Sequence, residues 1–314
     1  MKRRVCCILL LAAALLCAGA AAETAAAVRG CPMLSNAFTV LEEGNPFIER
    51  YNRITGENVR ARMSHGAPYF WGAQQDHLFA KEPEYVVLPA WQNSPAYYRA
   101  GTKYLYGFDC VGFVKWVWKE TYGQAMPARA DLLKDRGNQV RCTAAGEGPI
   151  WDGFAETLIP GDLLLMEHRS GGHHVAIYIG TLRMYGYSEG EAPELAGELD
   201  GPLVIHCTTN AQVADRFADL IQNGLPKYKC ATPPDGGVCV SLLAPTPDKA
   251  PSKVHQQNQD TWYYTLPDGT WLTVLRCDDI TEYAWYRIPL DPKRRQSAGS
   301  AGSAAAPGAP WRRR

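Results

Sequence analysis

The alternation of apolar and polar positions sorts this chain into helical and extended stretches. From Cys110 onward Phe113, Val114, Val117 and Trp118 return at the one-sided spacing of an amphipathic helix, with Asp109 at the N-cap position and Gly123 as the stop. Trp116 and Trp118 read as packing residues on or beside that helix. Val175-Ala176-Ile177-Tyr178-Ile179-Gly180 is an apolar run of strand length, and Tyr178 belongs to the sheet core. Pro160-Gly161-Asp162 makes a turn that launches Leu163-Leu164-Leu165-Met166, so the two runs and the loop from His168 to His174 predict a hairpin. Asp162 is read there as a turn cap. Val204-Ile205-His206 predicts another short strand.

Weaker patterns complete the outline. Pro46, Phe47, Ile48, Tyr51 and Ile54 suggest a helix capped by Asn45, and Val213, Phe217, Leu220 and Ile221 share a face of a second one running from Asn210 to Gly224. Residues 244–260 are rich in Pro, Lys and Gln and read as a linker or long exposed loop. Thr261 to Leu266 and Thr270 to Cys277 are strand-like runs joined at Pro267-Asp268-Gly269, with Tyr283 to Ile288 as a third. This 261–291 piece is expected to pack on the main sheet, the alternative being a small binding module with Trp262, Tyr264 and Trp271 exposed for sugar stacking. From Pro292 the Ala, Gly, Ser and Pro composition offers nothing to bury and predicts a disordered tail over 292–314.

One cysteine falls where a turn becomes a helix. Backbone N–H groups of a first helical turn and the positive end of the helix dipole favour thiolate over thiol at Cys110. A thiol nucleophile needs a base, and His174, opening a rigid strand, is the candidate. Neighbouring strand residues point to opposite faces, so His173 is expected to face away. His206 offers a third polar group that orients His174. Taken alone, Cys110 reads as a buried structural cysteine, because cysteine is among the most buried residue types.

The surrounding blocks reverse that. Gly66-Ala67-Pro68-Tyr69-Phe70-Trp71-Gly72, Phe108-Asp109-Cys110-Val111-Gly112-Phe113, Pro160-Gly161-Asp162-Leu163-Leu164 and His174-Val175-Ala176-Ile177-Tyr178-Ile179-Gly180 occur in this order. Over roughly residues 63–210 the chain thereby resembles the NlpC-type cysteine peptidases of bacterial cell walls. The resemblance implies an α+β, papain-like fold in which the helix bearing the cysteine packs on a mostly antiparallel sheet bearing the histidine. It implies Cys110 as nucleophile, His174 as base and then acid, His206 as orienting residue, and Tyr69 and Asp109 as substrate-binding groups, with no cofactor. The implied substrate is a peptidoglycan stem peptide, cut between D-glutamate and the diamino acid. Departures from the family pattern are Val111 where a serine is common, the 35 residues 73–107 between the first two blocks, and His206 standing 32 positions after His174. Residues 73–107 are expected to form a surface insertion beside the cleft, lined by Trp91, Tyr97 and Tyr98 and able to gate it.

Compartment follows from the N-terminus. Lys2-Arg3-Arg4, the apolar run Val5 to Leu16 and Ala20-Ala21-Ala22 have the three-part layout of a secretory signal over 1–22, and Leu16 before Cys17 fits lipoprotein processing poorly. The mature chain is expected outside the cytoplasm, as a monomer without a transmembrane segment: an extension over 23–62, a catalytic domain over 63–243, then the C-terminal pieces. Of ten cysteines, Cys31, Cys110, Cys142, Cys207, Cys230, Cys239 and Cys277 survive removal of the signal. With Cys110 kept as a thiol, the other six predict three disulfides, Cys230 with Cys239 being the most local pair. The formal charge of zero hides an asymmetry, since nine of the 32 basic residues lie in the two ends and residues 23–291 carry 23 basic against 32 acidic groups, formally −9. That argues against nucleic acid as a partner of the folded part. Three other readings stay open: a zinc hydrolase using His173, His174, His206 and Cys207, a thiol amidase or acyltransferase on another exported substrate, and a catalytically silent wall-binding protein.

Overall fold

The computed structural model describes residues 31–41, 49, 67, 69, 86–87, 103–105, 107–127, 139–141, 158–168, 171–190, 193–208, 229–230, 237–244, 252–256, 259–265, 271–277 and 280–287. The leader expected over 1–22, the helix expected from Asn210, the residues Trp91, Tyr97, Tyr98 and Cys142, the tail expected over 292–314 and, apart from Glu49, the helix expected at Pro46–Ile54 lie outside them.

Two helices cover one side of a sheet. Helix α1 (Pro32–Thr39) opens on a proline, whose missing N–H has no intrahelical partner to lose, and buries Met33, Leu34, Ala37 and Phe38. Helix α2 (Cys110–Tyr122) is capped by Asp109, whose carboxylate accepts the Gly112 N–H at 2.7 Å, and ends at Gly123, where φ of 67° suits a residue without Cβ. Its buried stripe of Phe113, Val114, Trp116, Val117 and Trp118 contains every position the helical spacing selects. The helices pack on each other, and Asn36 Nδ2 donates to Thr121 Oγ1 at 3.0 Å.

The strands are β1 (Val86–Val87), β2 (Lys103–Leu105), β3 (Gln139–Arg141), β4 (Leu163–His168), β5 (His173–Thr181), β6 (Pro202–Thr208), β7 (Lys229–Cys230), β8 (Gly237–Ala244), β9 (Ser252–Gln256), β10 (Gln259–Thr265), β11 (Trp271–Arg276) and β12 (Ile280–Tyr286). Nine form one sheet in the order β3-β12-β4-β5-β6-β8-β11-β10-β9, antiparallel except where β11 runs parallel to β8. The architecture is α+β. Strands β1, β2 and β7 form a second, three-stranded sheet, so 73–107 contributes two short strands of its own. Within 244–260, which reads as linker or long loop, Ser252–Gln256 is a strand paired with β10 at the end of the sheet order. The C-terminal runs join the main sheet through β8–β11 and β4–β12.

Period two divides the buried side chains. Val175, Ile177, Ile179, Leu203, Ile205, Cys207, Val238, Val240 and Leu242 share a core with α1 and α2, whereas Leu164, Met166, Ala176, Tyr178, Val204, Leu243, Cys277 and Ile280 form a smaller cluster. The turn before β4 is locked from both sides. Gly161 has φ of 101°, and a Cβ there would lie 2.6 Å from Cys31 Sγ. Asp162 Oδ2 accepts the Ile159 N–H at 2.9 Å, the capping role expected of it, and both Asp162 oxygens also receive Arg287, at 3.1 and 2.9 Å. Burial pushes the Asp162 carboxyl up, while the Arg287 guanidinium and the Ile159 N–H hold it down.

Replacing Arg287 by Ala strips that carboxylate of its counter-ion inside the protein. We expect Arg287→Ala to lose roughly 3 kcal/mol in urea unfolding at neutral pH, the usual result of breaking a buried pair from one side. A loss below a few tenths of a kcal/mol would mean that the pair adds nothing to the fold.

Candidate active site

The site forms where two strands stop pairing. The β5–β6 ladder runs from Thr181/Pro202 to Ile177/Ile205, with an irregularity between Tyr178 and Gly180, and ends there. Tyr178 donates its N–H to the Asp162 carbonyl on the β4 side. By antiparallel alternation the Val175 N–H then points to the β6 side, past the last pair. The Cys110 sulphur is what this N–H meets. Phe108 lies beside the same opening: its carbonyl accepts the Cys207 thiol at 3.2 Å, and it forms a parallel bridge with Tyr69. Helix α2 packs on β5 and β6.

The histidines occupy those ends. His174 Nε2 and His206 Nδ1 are 2.6 Å apart, with the rings nearly perpendicular at 84°. The two ends of the long β5–β6 connection meet because the connection folds back, burying Leu182, Leu195 and Leu199 and joining Arg183 to Asp200 at 2.8 and 3.0 Å. His206, fully buried, reaches Ser241 Oγ with Nε2 at 2.7 Å. Cys239 Sγ stands 3.6 Å from both His206 Nε2 and Ser241 Oγ. The His168 ring lies 6.2 Å from that of His174. His173 is exposed and turns toward Glu167, 3.6 Å away.

The structure joins His174 to His206 and bridges Tyr69 to Phe108, two residues before Cys110, while the Val175 N–H next to His174 acts on the Cys110 thiol. Among the described residues no hydrogen bond joins the Cys110 sulphur to His174; such contacts commonly tighten only when substrate is bound. Ser241 and Cys239 were missed by sequence reasoning, which leaves the strand of Gly237–Ala244 unassigned. A single hydroxyl in an otherwise apolar strand was the available signal, since a buried hydroxyl requires a partner.

Electrostatics corrects one expectation. Burial, and then the Asp109 carboxylate, push the Cys110 thiol up to about 12, against the smaller opposing pull of the Val175 and Val111 N–H groups. The helix terminus alone therefore does not make a thiolate, because desolvation outweighs it. Burial also holds His174 well below its ordinary 6.5, with His206 and His168 adding to the effect, and lowers His206 to about 3. The resting site is a neutral thiol beside two neutral imidazoles.

The disulfide expectation is corrected as well: Cys31, Cys207, Cys239 and Cys277 are free thiols, so neither three bridges nor a Cys230–Cys239 pair forms. Register gives the reason for the nearest two. Cys207 faces Val238 across the ladder while Cys239 faces His206, which puts the two sulphurs on opposite faces of the sheet. The same alternation separates Cys207 from His206 and defeats the four-residue zinc reading; among the described residues no group of three His, Cys, Asp or Glu could hold a metal ion.

Residues 66–195 match the NlpC/P60 family. Over this segment the chain is similar to NlpC/P60 proteins. The segment includes Tyr69, Asp109, Cys110 and His174, whereas His206, Cys239 and Ser241 lie beyond its end. No curated protein and no solved structure matches the chain. This similarity points to a cysteine hydrolase of the cell wall, with a peptidoglycan-related substrate. Among the described residues no helix is long and apolar enough to cross a membrane.

Burial of neutral imidazole has a consequence for stability. The unfolded chain takes up a proton on each histidine below about 6.5, while folded His206 resists protonation down to about 3. Stability is therefore retained above pH 6.5 and falls as pH drops through the window between those values. We expect urea unfolding at pH 5 to show a loss on the order of 2 kcal/mol per such histidine relative to pH 7, and His206→Asn to shrink the difference. Equal pH dependence in the two proteins would show that His206 is not held neutral.

Proposed function

We propose that the protein is an exported cysteine peptidase that hydrolyses an amide bond of peptidoglycan stem peptides, between D-glutamate and the diamino acid, in a papain-like arrangement. The observation that carries this reading is the hydrogen-bonded His174–His206 pair, with the Val175 N–H next to His174 acting on the Cys110 thiol, within and just beyond the segment that matches the NlpC/P60 family. The basic and apolar pattern of residues 2–22 supports export.

In this reading the steps follow an order of proton transfers. His174 Nδ1 takes the thiol proton as the sulphur attacks the amide carbonyl, which suits a site where neither partner is charged at rest. Backbone N–H groups at the start of α2 stabilise the oxyanion. The imidazolium then protonates the leaving amine, leaving a thioester on Cys110. Water, deprotonated by the neutral imidazole, attacks the thioester, and the thiol is regenerated as the acid leaves. His206 keeps the His174 ring oriented throughout. Tyr69 and Asp109 flank the nucleophile, Asp109 keeping the charge for a substrate amine although Val111 supplies no hydroxyl.

Two outcomes check this. Purified muropeptides should be cut by the wild type and left whole by Cys110→Ala, the loss being at least about 10³-fold; an identical digest from both would reject the nucleophile, and release of a terminal amide or acyl transfer instead of internal cleavage would favour the amidase or acyltransferase reading. With His174 holding its base form below its ordinary value, kcat/KM should persist as pH falls below 6.5. An acid limb centred at or above 6.5 would contradict a buried His174 as the base.

A further inference from the structure

We propose that Ser241 is a positioning residue that fixes the proton of His206 on Nε2 and, through the paired rings, the proton of His174 on Nε2, leaving His174 Nδ1 free to accept from Cys110. The inference rests on the reading of Cys110 and His174 as nucleophile and base, and extends it to a strand outside the segment that matches the NlpC/P60 family.

The argument is one of counting protons. A neutral imidazole carries one N–H, so each ring has one donor and one acceptor. Between His174 Nε2 and His206 Nδ1, 2.6 Å apart, a single proton lies. If His206 supplies it, His174 must accept at Nε2 and carries its own proton on Nδ1, the tautomer that cannot act as base toward the thiol. If His174 supplies it, Nδ1 is free, and the His206 proton must sit on Nε2. The second arrangement requires an acceptor at Nε2, and Ser241 Oγ is there at 2.7 Å in full burial. Ser241 can pass its own proton toward Cys239 Sγ, 3.6 Å away.

Cys239 is the competing acceptor, at 3.6 Å from Nε2, but sulphur accepts weakly. No other contact of the His206 ring nitrogens is formed among the described residues. The arrangement also explains why burial does not scramble the pair. In water either tautomer is tolerated, whereas here changing the proton of one ring alone sets a buried donor against a donor or an acceptor against an acceptor, so the two rings hold their protons in concert, with Ser241 Oγ accepting from His206 Nε2 in the base-competent arrangement. When His174 becomes imidazolium it donates from both nitrogens, and His206 still accepts at Nδ1 with its own proton held by Ser241. The direction of the chain therefore stays the same in the resting and the charged state.

The tautomer can be read without turnover. In the full chain labelled with ¹⁵N-histidine, long-range ¹⁵N–¹H correlation shows which nitrogen of His206 bears the proton, its signals being identified by their loss in His206→Gln. We expect Nε2–H in the wild type, a shift toward Nδ1–H in Ser241→Ala, restoration in Ser241→Thr, and no change in Cys239→Ala. On muropeptides Ser241→Ala should lower kcat about 10-fold, the worth of one hydrogen bond, with KM unchanged, and Ser241→Thr should recover it. An Nδ1–H tautomer in the wild type, or a Ser241→Ala protein keeping both tautomer and kcat, would overturn the proposal; the wild-type spectrum decides even if a variant does not fold. A wild type that shows Nε2–H and leaves muropeptides intact would sink the peptidase reading while supporting the hold of Ser241 on the ring.

Discussion

The site depends on one interruption of backbone pairing. Beyond Ile177 and Ile205 the β5–β6 ladder stops, and the N–H of Val175, which would otherwise seek a carbonyl on β6, is turned toward the Cys110 sulphur. A buried N–H without a partner is costly, and the Cys110 thiol is the group on which this N–H acts. The Cys207 thiol closes the same opening onto the Phe108 carbonyl. Cysteine, strand ends and histidine pair are thereby held in one place by main-chain needs rather than by side-chain complementarity alone.

Burial then sets the electrical character of the site. Removing water raises the thiol and lowers both imidazoles, so each group sits in its neutral form, and charge is postponed until attack begins. Asp109 adds to this, because the carboxylate that caps α2 opposes a thiolate one residue away. Helix capping and thiolate formation compete at this position, and capping prevails in the resting state. The histidine pair gains from its surroundings what it lacks in charge: a fixed path of hydrogen bonds running from β5 through β6 to β8.

Local signals in the chain were legible where the physics is local. The helix of Cys110–Tyr122, its Asp109 cap and its Gly123 stop follow from spacing and from two residues with special backbone roles. The turn at Pro160-Gly161-Asp162 and the hairpin it launches were likewise readable, since φ of 101° and a capping carboxylate are properties of a few adjacent residues. Apart from the strand Ser252–Gln256, which reads as linker yet pairs with the next run, the illegible features involve partners far apart in the chain. Arg287 lies 125 positions from Asp162 and Ser241 lies 35 from His206. The cysteine count suggested bridges that the register forbids, because a composition carries no information about which face of a strand each sulphur takes.

The order of four short blocks determined, from the chain alone, which cysteine and which histidine fall together in the segment that matches the NlpC/P60 family, because each block encodes its own turn, cap or strand. Tertiary structure decided what those residues experience. Only folding buries the thiol and the rings, parts β5 from β6, and brings a serine from β8 against His206, for desolvation and strand register are properties of the assembled sheet and of no single segment.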